Sequence, residues 1–214
     1  MTQNKISLPV IKRLPRYYRY VSRLKSDGVT TVSSSELAAM LGTTASQVRQ
    51  DFNCFGGFGQ QGVGYNVELL NSELEKLLFS GPKLDTVIIG AGRLGRTVSR
   101  FLTREAPGFS LVAAFDNDPI QIGTALGDVQ VRDMATLPAF CAERHPQICV
   151  LCVPEESAAG LMPSLIDYGL KGFWNFSHFD LAYSYPGITV ENVHLGDSLA
   201  SLGYRVRHLE PQGG

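Results

Sequence analysis

Apolar residues recur at two different periods, and the change of period divides the chain. Up to about residue 80 the period is helical. Leu14, Tyr17, Tyr18, Val21 and Leu24 fall on one face and stop before Asp27-Gly28, which predicts a helix ending there. Ser33, Ser34 and Ser35 precede Glu36-Leu-Ala-Ala-Met-Leu41, and a serine just ahead of Glu36 is an N-cap signature. Gly42 closes that short helix, and Thr43 or Thr44 caps the next, which turns Ala45, Val48 and Phe52 inward. Helix, glycine turn, helix predicts a helix-turn-helix, with Ser46, Gln47, Arg49 and Gln50 on the outer face of its second helix.

The segment CFGGFGQQGVGYNV, residues 54–67, is too rich in glycine for a helix or a core strand. It predicts a hairpin with a small tip carrying Gln60 and Gln61, the wing of a winged helix; a plain surface loop is the alternative. A further helix is expected from Glu68 to Phe79, and Ser80-Gly81-Pro82 marks a boundary.

Beyond the boundary short apolar runs alternate with helical stretches. The runs are TVIIG, LVAAF at 111–115, ICVLCV at 148–153 and a fourth at 172–176; the helices are expected near 93–104, 133–144 and 155–168. That alternation predicts a parallel sheet covered by helices on both faces. Near the end, Leu195, Leu199, Leu202, Val206 and Leu209 form a heptad stripe, to be buried either on its own domain or against a second subunit. The chain is therefore expected to hold three parts: a reader over 1–80, a sheet domain over 81–192, and a C-terminal helix and tail over 193–214.

Charge sharpens this division. The whole chain has a net charge of −1, which alone argues for no polyanionic partner. Residues 1–80 nevertheless hold nine Lys/Arg against six Asp/Glu, and the remainder holds ten against fourteen. Between residues 1 and 25 all seven charged side chains are basic, with Tyr17, Tyr18 and Tyr20 among them. Such a patch suits a phosphate backbone, although a solvated helix face would look the same. With 44% hydrophobic residues and no apolar run of about 18, the sequence predicts a soluble, cytoplasmic protein without a membrane span or secretory signal.

The strongest chemical motif is Gly90-Ala91-Gly92-Arg93-Leu94-Gly95, because it follows a predicted strand and opens a predicted helix. Gly90 allows the tight turn, Gly92 lets the backbone approach a pyrophosphate, and Gly95 lets helix and strand pack closely. Asp116 ends the next strand, where a carboxylate accepts hydrogen bonds from ribose hydroxyls and repels a 2′-phosphate, favouring NAD over NADP. A coenzyme A or mononucleotide version of the same fold remains open at this point. Cys149 and Cys152 form a C-x-x-C, but residues three apart on a strand face opposite ways, so they are expected to be buried hydrophobes.

A dehydrogenase is the rival reading. Of the four histidines (His145, His178, His194 and His208) none has an evident carboxylate partner by spacing, and few residues remain for a substrate domain.

The motifs IKRLPRYYRYVSRL, SSSELAAMLGTTASQVRQDF, FGGFGQQGVGYNV, GAGRLG, AAFDNDP, Val153-Pro154 and GFWNFS, in this order, resemble the Rex redox-sensing transcriptional repressors. The resemblance spans about Ile6 to Leu209. It implies an α/β protein: an N-terminal winged helix, a Rossmann-type domain binding NADH or NAD+, and a C-terminal helix exchanged between subunits. It implies no enzyme activity, but a homodimer that binds double-stranded operator DNA and leaves it when NADH binds. Carried over residue by residue, Arg13, Arg16, Ser46, Gln47, Arg49, Gln50, Gln60 and Gln61 would meet DNA. Gly90, Ala91, Gly92, Arg93, Leu94, Gly95, Asp116, Val153 and Pro154 would hold the dinucleotide, with Phe176 and Ser177 toward the nicotinamide. Many members have basic residues where Gln50 and Gln61 stand. Some build a switch from an Asp, an Arg and a Tyr; here His194, Arg19 and Phe101 occupy those places.

Overall fold

In the computed structural model, which describes residues 6–55, 59–60 and 64–208, the chain divides between Gly81 and Pro82 into two units. The first begins with α1 (Leu8–Ser26), which starts upstream of the predicted stripe because Pro9 is tolerated in a first turn that needs no N–H. A short strand β1 (Thr31–Val32) leads to α2 (Ser34–Leu41). Its N-terminus is a full capping box: Glu36 N donates to Ser33 Oγ at 3.1 Å, and Ser33 N donates to Glu36 Oε2 at 2.7 Å. Gly42 ends the helix at φ +64°, in the left-handed region. Thr44 Oγ1 then accepts from Gln47 N and starts α3 (Ala45–Asn53). The strands β2 (Gly59–Gln60) and β3 (Gly64–Asn66) pair as an antiparallel hairpin, with β1 on the other side of β3. Asn66 caps α4 (Val67–Phe79). Helix-turn-helix and wing are both present, although Gln61 at the tip lies outside the described residues.

The unit is held by one apolar core. Leu14, Tyr17 and Val21 of α1 meet Leu37 and Leu41 of α2, Val48 and Phe52 of α3, and Leu70 and Leu74 of α4. Phe52 sits between Tyr17 and Tyr65, with ring centroids 4.8 and 5.1 Å away. Fully burying each such side chain stabilises the unit by about 1.5–3 kcal/mol.

The second unit runs β4 (Leu84–Ile89), α5 (Arg93–Glu105), β5 (Phe109–Asp116), β6 (Ala125–Leu126), β7 (Val129–Asp133), α6 (Leu137–Arg144), β8 (Ile148–Leu151), α7 (Glu155–Asp167), β9 (Gly172–Asn175), α8 (Leu181–Ser184), β10 (Thr189–Asn192) and α9 (Leu195–His208). The sheet order is β10-β9-β8-β4-β5-β7-β6, parallel throughout except for the β6–β7 pair. This is the doubly wound order of a dinucleotide fold, and it reverses between β4 and β8.

Three strands of this sheet, β6, β7 and β10, were not expected. The helix expected from 133 starts at Leu137, because Val129–Asp133 forms β7 beside β5 and a 3-10 turn intervenes. Only Val131 of β7 is buried, so no apolar run marks it. The edge strand β10 has no fully buried residue and is defined by its pairing with β9.

Alternate residues of the strands face opposite cores. Val87, Ile89 and Cys149 join α6 and α7, while Ile88, Ala114 and Val150 join α5. Cys152 packs against the α5 side, so the two thiols do diverge. Helix α9 has no buried residue at all, and Leu195, Leu199 and Val206 are each at least 70% exposed. Packing on its own domain, one of the two alternatives for the stripe, is therefore not what the described chain shows.

Candidate functional site

At the end of β4 the backbone turns at Gly90, φ +95°, and a Cβ there would lie 2.5 Å from the Cys152 carbonyl oxygen. Only glycine fits. A Cβ on Gly95 would run into the Gly90 carbonyl oxygen, so the first turn of α5 sits directly against the loop. Gly92 is different: a Cβ there would meet nothing within 4 Å. The space beside it is open, and α5 begins there with no side-chain cap and no acidic residue in its first turn. Free N–H groups and the positive dipole end together make a place for a pyrophosphate. Ala91 is buried beneath this loop, while Arg93 and Leu94 are exposed.

Asp116 stands at the end of β5, beside the loop. Its Oδ2 accepts from Ala91 N at 2.6 Å and its Oδ1 from Asp118 N at 2.9 Å. The carboxylate thus ties the glycine loop down as well as facing the cleft. Each oxygen keeps a second lone pair for a hydroxyl donor.

Gly90, Gly92 and Asp116 meet Val153 and Pro154 around a cleft of about 540 Å³ at the point where the strand order reverses. Asn117, Met134 and one side of α7, at Glu156, Ser157, Gly160 and Leu161, also line it. Sequence reasoning missed these six. Asn117 and Met134 were visible as residues following strand ends, once β7 is known to be a strand. The α7 residues carry no local signal.

Phe176 and Ser177 follow the end of β9 and do not line that cleft directly; Phe176 N donates to the Leu151 carbonyl at 3.0 Å, next to Cys152. The Phe176 ring packs on Trp174 at 4.8 Å, and Trp174 on Phe101 at 5.8 Å. Ser177 is buried, and its N–H and hydroxyl both donate to Asn175 Oδ1. Cys152 lines the cleft, but burial pushes its thiol up to about 12, and burial raises Cys149 as well. Thiols raised in this way stay protonated at neutral pH, which disfavours nucleophilic attack. One histidine does have a carboxylate neighbour, contrary to expectation: His194 Nδ1 is 3.4 Å from Asp197 Oδ2 across the start of α9. The His178 ring lies 6.0 Å from that of His194.

The reader is built differently. Ser46, Arg49 and Gln50 are exposed on α3, and Arg49 Nη1 donates to Ser34 Oγ at 3.0 Å. Arg16 reaches from α1 to the Leu41 carbonyl at 3.0 Å, holding the turn of the motif. Gln60 lies on the wing strand β2.

Arg13 and Gln47 converge on a residue that sequence reasoning passed over, Asp51. Its carboxylate is only 1% exposed and accepts from Arg13 Nε (2.6 Å) and Nη2 (2.7 Å), Tyr17 Oη (2.8 Å) and Gln47 Nε2 (2.8 Å). Burial alone would raise the Asp51 carboxyl; the donors from Arg13, Tyr17 and Gln47 outweigh it and hold the group below the ordinary carboxylate value. The available signal was positional: Asp51 follows Val48 by three and precedes Phe52, so it falls on the inward face of α3.

Comparison with known proteins agrees with both halves. Residues 5–53 match a family model described as a putative DNA-binding protein N-terminus, and residues 83–179 one described as a CoA binding domain. The redox-sensing transcriptional repressor Rex of Thermoanaerobacter pseudethanolicus is 44% identical over 208 residues, covering 97% of this chain and 92% of the relative. That of Clostridium botulinum is 42% identical, over 96% and 98%.

The chain belongs to the Rex family.

A crystal structure of RSP with β-NAD+ and operator DNA superposes with a TM-score of 0.85 at 44% identity, covering 94% of this chain and 93% of that one. RSP with β-NADH gives 0.86 at 41% identity, over 95% of both. Among the described residues of this Rex chain no helix is long and apolar enough to cross a membrane.

Proposed function

We propose that this Rex-family chain is a homodimeric repressor that senses the NADH/NAD+ ratio, holds operator DNA, and lets go when NADH binds. The single observation that carries this reading is the presence, in one short chain, of a capped helix-turn-helix with a wing and of a glycine-loop cleft closed by Asp116. The relative RSP, similar along nearly the whole length, was crystallised with operator DNA and NAD+ and with NADH. The output is DNA occupancy, not turnover, so the protein is no enzyme.

In this reading Gly92 and the first turn of α5, with Ala91, Arg93 and Leu94, take the pyrophosphate; Asp116 takes the adenosine ribose; Val153 and Pro154 flank the ligand. Phe176 and Ser177 face the nicotinamide end, beyond β9. The dinucleotide supplies the signal, because its oxidised and reduced nicotinamide rings differ in charge. On α3, Ser46, Arg49 and Gln50 meet DNA directly, joined by Gln60 and Gln61 of the wing. Arg13, Arg16 and Gln47 also serve the interface while holding the reader together. The exposed stripe of α9 is covered by a second subunit, with the helix exchanged between the two.

NADH acts only as far as it binds the DNA-free arrangement better than the DNA-bound one. A tenfold loss of operator affinity needs about 1.4 kcal/mol of such coupling. Fluorescence anisotropy on operator DNA, titrated with NADH and separately with NAD+, tests the reading. Release by NADH at concentrations where NAD+ leaves the complex intact is expected. Constant affinity at every ratio would refute the sensor.

A second reading has one observation in its favour, the match of residues 83–179 to a coenzyme A binding model. Competition settles it: coenzyme A at equal concentration leaves NADH bound if the dinucleotide reading is right.

A further inference from the structure

We propose that Asp51 is a positioning residue for base readout: it fixes the Gln47 side-chain amide with nitrogen inward and oxygen outward, and so sets which base Gln47 accepts. This rests on the DNA-reading role of α3 proposed above.

The orientation is forced by charge. Asp51 is buried and doubly bonded to the Arg13 guanidinium, so it is an ionised acceptor with no proton to give. The amide atom of Gln47 that lies 2.8 Å from it must therefore be the nitrogen. Arg13 grips both carboxylate oxygens and Tyr17 adds a third donor from the same helix, so the carboxylate cannot swing to follow a flipped amide. Gln47 itself is near the start of α3, where Thr44 caps its backbone N–H, and recognition helices meet base edges near their N-termini.

An amide held this way keeps one N–H and its carbonyl oxygen for DNA. That pair matches adenine, which offers N7 as acceptor and N6 as donor. Guanine offers two acceptors at the same edge, so its O6 would face the Gln47 oxygen. A free glutamine could turn its amide over to relieve part of that conflict. One bonded to Asp51 cannot, and the wrong base is penalised. The selectivity of the outer face is thus set by a residue that touches no DNA.

The test uses full-length protein and a randomised duplex pool, from which wild type selects its preferred site, read base pair by base pair. Selection reports relative preferences, so a loss of phosphate attraction common to all sequences does not move it. In Asp51→Asn and in Gln47→Ala, preference at a single A·T pair of each half-site is expected to fall by about fivefold or more, the low end for a bidentate contact. The other positions keep their preferences, and NADH binding is unchanged. Should Asp51→Asn fail to fold, Arg13→Lys carries the same test, because it keeps the charge but loses the two-pronged grip. An unchanged A·T preference in Gln47→Ala, or in the Asp51 or Arg13 variant, overturns the proposal. So does relaxation at every position alike, which is what a merely loosened domain produces. A wild type that selects no sequence at all removes the DNA-reading role itself; one that selects a site which Asp51→Asn selects equally well removes only the positioning role.

Discussion

The N-terminal unit and the sheet unit each anchor a functional surface on one aspartate, and the two carboxylates are satisfied in different ways. Asp51 is enclosed and, among the described residues, takes its donors from side chains of α1 and α3. Asp116 opens onto a cleft and takes its donors from backbone N–H groups at the end of the sheet. Side-chain donors arranged around a buried charge make a rigid hub that any one substitution leaves incomplete. Backbone donors come with the fold, whatever the neighbouring side chains are, and leave lone pairs directed at a ligand. The reader is thus held together by chemistry that a mutation readily removes, whereas the cleft is held by chain geometry.

The sharpest way to break the comparison is to attack the geometry. Gly90→Ala places a Cβ against Cys152 and keeps a positive φ, at a cost of about 3 kcal/mol or more. Calorimetric NADH binding should fall at least about 100-fold, while operator binding without NADH persists.

Next comes the buried charge. Arg13→Ala leaves Asp51 short of its largest donor and should cost about 2–3 kcal/mol in denaturant melts at neutral pH, less than a fully buried pair because Arg13 is 32% exposed. Its pH dependence follows from the sign of the shift. Asp51 is held below the ordinary carboxylate value, so its contribution is complete above that value and is lost as pH falls through the lower, folded one. In Arg13→Ala the donors that offset burial are fewer, and acid unfolding should begin at higher pH than in wild type.

Arg49→Ala probes the exposed face of the reader. A loss of about 1–3 kcal/mol on operator DNA with little change on random DNA marks a base contact; an equal loss on both, with the salt slope reduced by about 0.9, marks a phosphate contact. The smallest effect is expected from Asp116→Asn, which keeps one acceptor oxygen for the Ala91 N–H. NADH affinity should weaken roughly tenfold, about 1.4 kcal/mol, with DNA binding in its absence unchanged. An equal loss in DNA binding would mean that the two aspartates are not separable, and the contrast drawn between the units would fail.

Local structure was largely legible in advance. The Ser33–Glu36 capping box, the Thr44 cap, the wing glycines, the Gly90–Gly95 loop and four of the parallel strands each carry a signal within a few residues. The strands β7 and β10 were not legible, because one has a single buried residue and the other none. The wall of the cleft supplied by α7 was not legible either, since nothing near Gly160 or Leu161 marks a ligand. Arg13 and Gln47 were legible as polar residues suited to DNA, but not as partners of a buried acid.

What the chain by itself determines is where helices start and stop, which loop must be glycine, and which half is basic, because caps, φ preferences and hydrophobic periods act over one or two turns. What only the tertiary structure decides is how the polar groups are spent. Arg13 and Asp51 are 38 positions apart, and Ala91 and Asp116 are 25 apart. Hydrogen bonds form only within about 3 Å, and separations that long are closed by the packing of α1 on α3 and of β4 on β5, not by any pattern along the sequence.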